Sequence, residues 1–174
     1  MAHVQAPVGK DKVVVNGSML NSASGPQMKL HAYHNWSGSP YALFPDKFAK
    51  GDASEFVHKG EKPTDILGSK GVVVYAGTNQ SGTPDTFDCA WLLAWSAPLP
   101  DSNEHNYKVY VEAGDIKKYP IGDIVWSDIQ DKLDKASATC HCKDEYTGCE
   151  AFATIKDGSK NAVDLSARFV VNPI

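Results

Sequence analysis

Short apolar runs alternate along the chain with clusters of Gly, Ser, Asn and Pro. Runs of this length, with apolar residues at every second position and turn-forming residues at both ends, are typical of β-strands. They predict strands at residues 12–16, 27–33, 48–58, 70–76, 88–96, 107–112, 151–155 and 164–171. Turns are expected at Asn16-Gly17, which should end the first strand, at Gly51-Asp52 within the third, and at Asp157-Gly158 between the last two.

Alternation also predicts the face of the strand on which each side chain lies. The pattern in residues 27–33 separates two faces, which carry Met28, Leu30 and Ala32 on one side and Lys29, His31 and Tyr33 on the other. The pattern in residues 88–96 does the same, with Cys89, Trp91, Leu93 and Trp95 on one side and Ala90, Leu92, Ala94 and Ser96 on the other. The strand at residues 70–76, KGVVVYA, is expected to be buried.

One stretch has helical rather than strand spacing. After Pro120, apolar residues recur at intervals typical of a helix as far as Lys135, namely Ile121, Ile124, Val125, Ile129 and Leu133. This predicts one helix with Asp123 or Ser127 as its N-cap. Many short strands with a single helix favour an all-β sandwich, and a chain of 174 residues without an internal repeat favours one domain over residues 1–174.

Composition excludes several classes of protein. With 42% hydrophobic and 22% charged residues, the chain can bury a sizeable core. Its net charge is −4 and Arg168 is its one arginine, so it lacks the basic face of a nucleic-acid-binding protein. No apolar run approaches the roughly 18 residues of a spanning helix, and the first residues lack the apolar segment of a secretory signal peptide. We therefore expect a soluble protein, either cytoplasmic or exported by another route.

The cysteines are unevenly placed. Cys89 stands alone, whereas Cys140, Cys142 and Cys149 lie close together beside His141. This spacing matches no common zinc site, and the charged residues between the cysteines indicate an exposed loop. We therefore predict no metal site, and leave open whether a disulfide such as Cys142–Cys149 forms or the thiols are free.

No motif of a catalytic site is present. The sequence contains no Gly-rich phosphate loop, no Gly-x-Ser-x-Gly elbow and no His-Glu-x-x-His helix. His31 and His34 suggest a dispersed metal or acid–base set, but residues three apart point to opposite faces of a regular strand. We therefore predict no catalytic residues, no cofactor and no enzymatic activity.

Aromatic residues lie at loop edges beside Ser, Gly and Asn, which is the more informative pattern. Tyr and Trp suit a membrane interface, and they form cation–π cages for quaternary ammonium groups such as choline. Trp91 and Tyr75 lie mid-strand and are expected in the core. For Trp36 and Tyr107 a binding role and burial both remain open.

The order of these motifs resembles the actinoporin-like family of β-sandwich lipid-binding proteins, from residue 12 to about residue 133. The segment NGSMLNSASGPQMKLHAYHNWSGS is similar to that family's first hairpin and the exposed turn after it, and GSKGVVVYA to its glycine-led strand. AWLLAWSAPLPDSNEHNYKVYVEAG resembles the family's apolar strand, Ser-x-Pro, membrane-facing loop and next strand. KKYPIGDIVWSDI takes the place of its tyrosine-rich helix. The pattern CAWLLAWS is also similar to plant jasmonate-induced proteins, and the overall character to nakanori-like lipid-binding proteins of fungi.

The resemblance implies an actinoporin-like β-sandwich with one short helix packed on it. It implies peripheral binding to sphingomyelin/cholesterol membranes at their outer leaflet, with a pocket that takes choline by cation–π contact and phosphate by hydroxyl groups. Carried over by position, the lipid-binding residues are Trp36, Ser37, Ser96, Pro98, Tyr107 and Trp126. At this pocket the chain departs from the family in two places: the loop between Pro98 and Tyr107 is shorter and lacks a row of Trp and Tyr, and Trp126 stands where a tyrosine pair is usual.

Residues 1–12 differ from the long amphipathic segment of the pore-forming members. They contain Pro7, Gly9 and the charged residues Lys10, Asp11 and Lys12, and a spanning helix needs roughly 20 residues. We therefore expect binding without lysis. The net charge of −4 favours a zwitterionic headgroup over anionic lipid. Two alternatives remain: a lectin-like carbohydrate-binding module with glycans as partners, and a stress-induced plant protein of unknown ligand.

Overall fold

The computed structural model describes residues 9–21, 27–80, 86–159 and 162–172. Its strands are β1 (Lys12–Asn21), β2 (Met28–Ser37), β3 (Ser39–Ala42), β4 (Lys47–Phe48), β5 (Ala53–Glu61), β6 (Ser69–Gln80), β7 (Thr86–Ala97), β8 (Lys108–Asp115), β9 (Thr139–Lys143), β10 (Cys149–Asp157) and β11 (Val163–Val171). A 3-10 turn at Ile116–Lys118 and helix α1 (Trp126–Asp134) lie between β8 and β9.

The strands form two sheets, which confirms the predicted β-sandwich. The six-stranded sheet has the order β3-β5-β1-β11-β10-β9, and the five-stranded sheet has the order β4-β2-β6-β7-β8. The pairing of β1 with β11 is parallel, and the other pairings are antiparallel. Both sheets contribute apolar side chains to the core between them, including Phe56 and Phe169 from one sheet and Tyr75, Trp91 and Trp95 from the other.

Strand β7 is buried on both faces, with the side chains separated as the alternation predicted. Cys89, Trp91, Leu93 and Trp95 point into the core between the sheets. Ala90, Leu92 and Ala94 point to the outer face of the five-stranded sheet, where they form a second core. Helix α1 covers that second core with Ile129 and Leu133.

Glu112 of β8 connects this helical layer to the sheet. Its carboxylate accepts hydrogen bonds from the Tyr110 hydroxyl at 2.5 Å, from Lys132 Nζ of α1 at 2.8 Å, and from the Tyr119 hydroxyl. Burial opposes the charged form, but these donors outweigh it and lower the pKa of Glu112.

The helix is shorter than predicted. It begins at Trp126, and its N-cap is Val125, with no side-chain hydrogen bond, rather than Asp123 or Ser127. Gly122 has a φ of 85°, and Asp123 N–H donates to Pro120 O at 3.0 Å, so these residues form a turn that keeps Ile121 out of the helix.

Strand β1 passes through Asn16-Gly17 instead of ending there. A Cβ atom at Gly17 would lie 2.2 Å from the ring of Phe56, so glycine is needed for packing at this point rather than for a turn. The turn predicted at Gly51-Asp52 is present, with Asp52 N–H donating to Ala49 O at 3.1 Å.

The cysteine-rich segment is wrongly predicted as a loop. Cys140 and Cys142 lie in β9, whose residues pair with β10 at the edge of the six-stranded sheet. All four cysteines are free, so the structure contains no disulfide bond between them. Within the described ranges, no group of three or more His, Cys, Asp or Glu side chains is arranged to hold a metal ion.

A β-bulge in β2 changes the faces predicted for its second half. The register with β6 shifts between Leu30 and Ala32, so Leu30 packs against the core between the sheets while Ala32 packs against the second core. His31 Nε2 lies 2.6 Å from Tyr119 O, and the His34 ring stacks on Trp126. The two histidines therefore face the helical layer together, and not opposite sides as in a regular strand.

The prediction that residues 1–12 do not form a membrane-spanning segment concerns a range of which the structure describes only residues 9–12. Among the helices that the structure describes, none has the length and apolar character needed to cross a membrane.

Candidate functional site

Four polar residues form a row across one end of the five-stranded sheet. Ser37 of β2 pairs with Lys70 of β6, Lys70 pairs with Ser96 of β7, and Ser96 pairs with Lys108 of β8. Directly paired residues of antiparallel strands point to the same face. The row therefore places two hydroxyl and two ammonium groups side by side on the outer face, and we call it the Ser/Lys row.

A cavity of about 110 Å³ lies against this row. Its wall includes Lys70, Ser96 and Lys108 of the row and Pro98, which directly follows β7. Two loops and the last turn of α1 complete it with Ile66, Leu67, Ser102, Glu104 and Asp134. We call it the end cavity.

Two ion pairs run along the end cavity. Lys70 Nζ lies 2.6 Å from Asp134 Oδ1, and Lys108 Nζ lies 2.8 Å from Glu104 Oε1. The lysine side chains are 9% and 18% exposed, whereas the carboxylate side chains are 47% and 54% exposed. The cavity thus has ammonium groups against the sheet and carboxylates toward solvent, with no net charge.

The loop between β5 and β6 holds two apolar side chains beside the end cavity. The carboxylate of Asp65 accepts hydrogen bonds from the backbone N–H groups of Gly38 at 2.9 Å and Glu61 at 3.2 Å, which fixes the loop against β2 and β5. Ile66 and Leu67 follow directly and are 67% and 49% exposed.

Gly68 ends this loop in close contact with β7. Its φ of 80° is in the left-handed region, and a Cβ atom at this position would lie 2.3 Å from Ala97 O. Glycine is therefore required for the loop to approach the sheet closely enough to form the wall of the cavity.

The loop between β7 and β8 is fixed from both sides. Leu99 is buried, and the Asp101 carboxylate pairs with the ammonium group of Lys62 in the neighbouring loop. Ser102 Oγ donates to Glu104 O at 2.7 Å, which places Glu104 at the mouth of the cavity.

A buried polar network lies beneath the same end of the molecule. His58 Nδ1 is 2.8 Å from Ser69 Oγ, and His58 Nε2 is 3.0 Å from Asn35 Oδ1. Trp95 Nε1–H donates to Ser69 Oγ at 3.1 Å. Burial lowers the pKa of His58 to about 4, although the nearby Asp65 carboxylate acts in the opposite direction. Ser37 Oγ, by contrast, is buried without a hydrogen-bond partner among the described residues.

Of the six residues predicted from the resemblance, the structure brings three together at this end. Ser96 and Pro98 line the end cavity, and Ser37 belongs to the Ser/Lys row. Tyr107 does not line the cavity: it packs against the core between the sheets, and its hydroxyl donates to Asp157 Oδ1 at 2.7 Å. It precedes Lys108, so it points to the opposite face of the strand.

The two tryptophans form a separate cluster with His34. The His34 ring stacks on Trp126 with centroids 5.4 Å apart, and it meets the edge of Trp36 at 5.6 Å. Both tryptophans are half-buried against the second core. Trp36 lies within β2, which extends to Ser37, and not at a loop edge as the sequence suggested.

The sequence interpretation missed the charged and apolar residues of the end cavity. Lys70 and Lys108 were assigned only as strand residues, and Asp134 only to the helix. Ile66 and Leu67 offered a signal, because they are an apolar pair in a segment otherwise rich in Pro, Asp and Gly.

Comparisons with known proteins agree with this architecture. Residues 13–169 match the family model described as Nakanori-like protein. A jasmonate-induced protein homolog of Atriplex canescens is 36% identical over 131 residues, which are 75% of this chain and 65% of that protein, so the chain spans less than two thirds of it.

The crystal structure of the lipid binding protein Nakanori superposes with a TM-score of 0.68 at 16% identity and covers 90% of this chain and 70% of Nakanori. This establishes a shared fold. A lectin of Xerocomus chrysenteron, at 10% identity and covering 91% of this chain and 99% of the lectin, reaches a TM-score of 0.49, which is too low to support a conclusion.

Proposed function

This chain belongs to the Nakanori-like family, and we propose that it acts as one lipid-binding domain that binds membrane surfaces peripherally. One observation carries the proposal: the exposed apolar side chains of Ile66 and Leu67 border the same cavity as the ammonium groups of Lys70 and Lys108. A phospholipid surface combines the same two chemistries, an apolar layer beneath phosphate-bearing headgroups.

The Ser/Lys row supplies donors for a headgroup phosphate. Lys70, Lys108 and Ser96 all line the end cavity, and ammonium–phosphate hydrogen bonds are charge-assisted. A cationic part of the headgroup would lie against the carboxylates of Asp134 and Glu104. A zwitterionic headgroup therefore exchanges ion pairs with the protein and leaves none of the four charges unpaired.

Ile66 and Leu67 would enter the membrane interface while the headgroup occupies the cavity. Full burial of such a side chain is worth about 1.5–3 kcal/mol. Because both side chains are already partly buried, their joint contribution is about 2 kcal/mol, or about thirtyfold in affinity. Since Asp65 fixes their loop, little conformational freedom is lost on binding.

The lipids that we propose as targets are sphingomyelin and cholesterol, at the outer leaflet of the target membrane. Two facts support this choice: Nakanori, which shares this fold, is a lipid binding protein, and the net charge of −4 opposes general attraction to anionic lipid. We further propose binding without lysis, based on the proline and charged residues of positions 1–12.

Co-sedimentation with sphingomyelin/cholesterol vesicles tests the proposal. The double variant Ile66→Ser/Leu67→Ser should bind about thirtyfold more weakly than the original chain. Leu20→Ser is the matched control, because Leu20 is 37% exposed and lies at the opposite end of the sandwich. Vesicle binding by this control variant should be unchanged.

Two results would contradict the proposal. The first is a lack of binding to any vesicle, especially with binding to glycans instead, which would favour the lectin-like alternative. The second is equal binding by the double variant. Vesicles loaded with dye should retain it at protein concentrations that saturate binding, and release in step with binding would contradict the non-lytic part.

A further inference from the structure

We infer that the end cavity selects the cationic end of the headgroup, and that it binds a primary ammonium, as in phosphoethanolamine, more tightly than the quaternary ammonium of phosphocholine. This inference rests on the proposed function and deepens it: sphingomyelin remains a ligand of the end cavity, but the sphingolipid that carries phosphoethanolamine in place of phosphocholine binds more tightly. Both headgroups carry the same phosphate, so the preference depends on what surrounds their nitrogen atoms.

The cationic side of the cavity consists of carboxylates. Asp134 and Glu104 are each about half exposed at its mouth, and each already accepts an ammonium group, from Lys70 and Lys108 respectively. A primary ammonium has three N–H donors and can replace the lysines at these oxygens with charge-assisted hydrogen bonds. A trimethylammonium group has no donor, so it gains only the weaker electrostatic attraction.

The described part of the cavity wall offers no aromatic ring to compensate for the missing donors. Proteins recognise quaternary ammonium groups mainly over the faces of Trp and Tyr rings. None of the described residues that line the end cavity is aromatic. The three aromatic residues predicted from the resemblance make contacts elsewhere, because Tyr107 donates to Asp157 and the rings of Trp36 and Trp126 contact His34.

The same carboxylates argue against a purely anionic headgroup. A phosphate that pairs with Lys70 and Lys108 separates these lysines from Asp134 and Glu104. With no cation on the ligand, the two carboxylates would face the phosphate unpaired, and like charges repel at such distances. The expected order of affinity is therefore phosphoethanolamine first, with phosphocholine and a phosphomonoester both weaker.

Vesicles that differ only in the headgroup nitrogen test this order. Equimolar ceramide phosphoethanolamine/cholesterol vesicles should bind about tenfold more tightly than equimolar sphingomyelin/cholesterol vesicles, the value of about one charge-assisted hydrogen bond. Soluble glycerophosphoethanolamine should likewise compete better than glycerophosphocholine. The soluble competitors separate headgroup recognition from differences in membrane packing.

Carboxylate variants assign the preference to the cavity. The double variant Asp134→Asn/Glu104→Gln should lose the preference and bind the two vesicle types within about twofold of each other. Glu55→Gln, an exposed carboxylate of the other sheet, should keep it.

Equal or stronger binding to the choline lipid by the original chain would overturn this inference and leave the proposed function standing. A preference that survives in the double variant would also overturn it. Absence of binding to every vesicle would overturn the proposed function itself.

Discussion

The buried His58 should make the stability of this protein depend on pH between about 6.5 and 4. Its side chain is fully buried, and its hydrogen bonds suit the neutral ring: Ser69 Oγ accepts the Trp95 N–H and directs its own proton to Nδ1, while Nε2–H donates to Asn35. A second ring proton would disrupt this arrangement inside the core.

The size of the effect follows from the change in pKa. Burial lowers the pKa of His58 from 6.5 in the unfolded chain to about 4 in the folded one. Between these values the unfolded chain binds more protons, so stability falls as the pH falls. The difference of about 2.5 units corresponds to about 3 kcal/mol in total, of which about 2 kcal/mol is lost by pH 5.

Urea unfolding at a series of pH values from 7.5 to 5 measures this loss. The original chain should lose about 2 kcal/mol over that range, whereas His58→Gln, whatever its stability at neutral pH, should lose much less. Comparing the two proteins removes the contribution of His34, whose pKa is also lowered by burial, because both proteins contain it. Carboxylates with lowered pKa values, such as Glu112, act at lower pH. An equal change of unfolding free energy with pH in the two proteins would refute the reasoning.

Two further substitutions test the packing. Gly17→Ala would place a Cβ atom 2.2 Å from the Phe56 ring and should cost about 1–3 kcal/mol of unfolding free energy in urea; an unchanged value would show that the ring moves freely. Trp36→Ala should cost about 2–4 kcal/mol, because Trp36 packs against the second core and the His34 ring, whereas Tyr41→Ala at a 74% exposed position should cost little. A stable Trp36→Ala variant that has lost vesicle binding would instead support direct membrane contact.

The parts of the fold that follow strict alternation could be predicted from the sequence. Residues of β7 alternate between two apolar layers without interruption, so Trp91 and Leu92 were assigned to the correct opposite faces. Strand β2 could not be predicted in this way. Its bulge between Leu30 and Ala32 is a property of its pairing with β6, and the sequence of one strand does not record where its partner shifts.

The candidate site was predictable only where the resemblance supplied positions. Ser96 and Pro98, which line the end cavity, were predicted because they follow the family's Ser-x-Pro pattern. Lys70 and Lys108 were not predicted, because their proximity depends on how the three consecutive strands β6, β7 and β8 pair in register. No local pattern in one segment distinguishes these two lysines from ordinary exposed ones.

The structure places charged residues against the end cavity and the two tryptophans away from it, and β2 shows why. A second register shift between Asn35 and Ser37 leaves Trp36 without a partner on β6, and its ring joins His34 and Trp126 on the outer face. Trp126 is the first residue of α1, so this cluster fixes one end of the helix. At the other end of the helix, Asp134 forms an ion pair with Lys70 in the end cavity. In the function that we propose, the tryptophans therefore position the helix, and the ion pairs at the far end of the helix bind the headgroup.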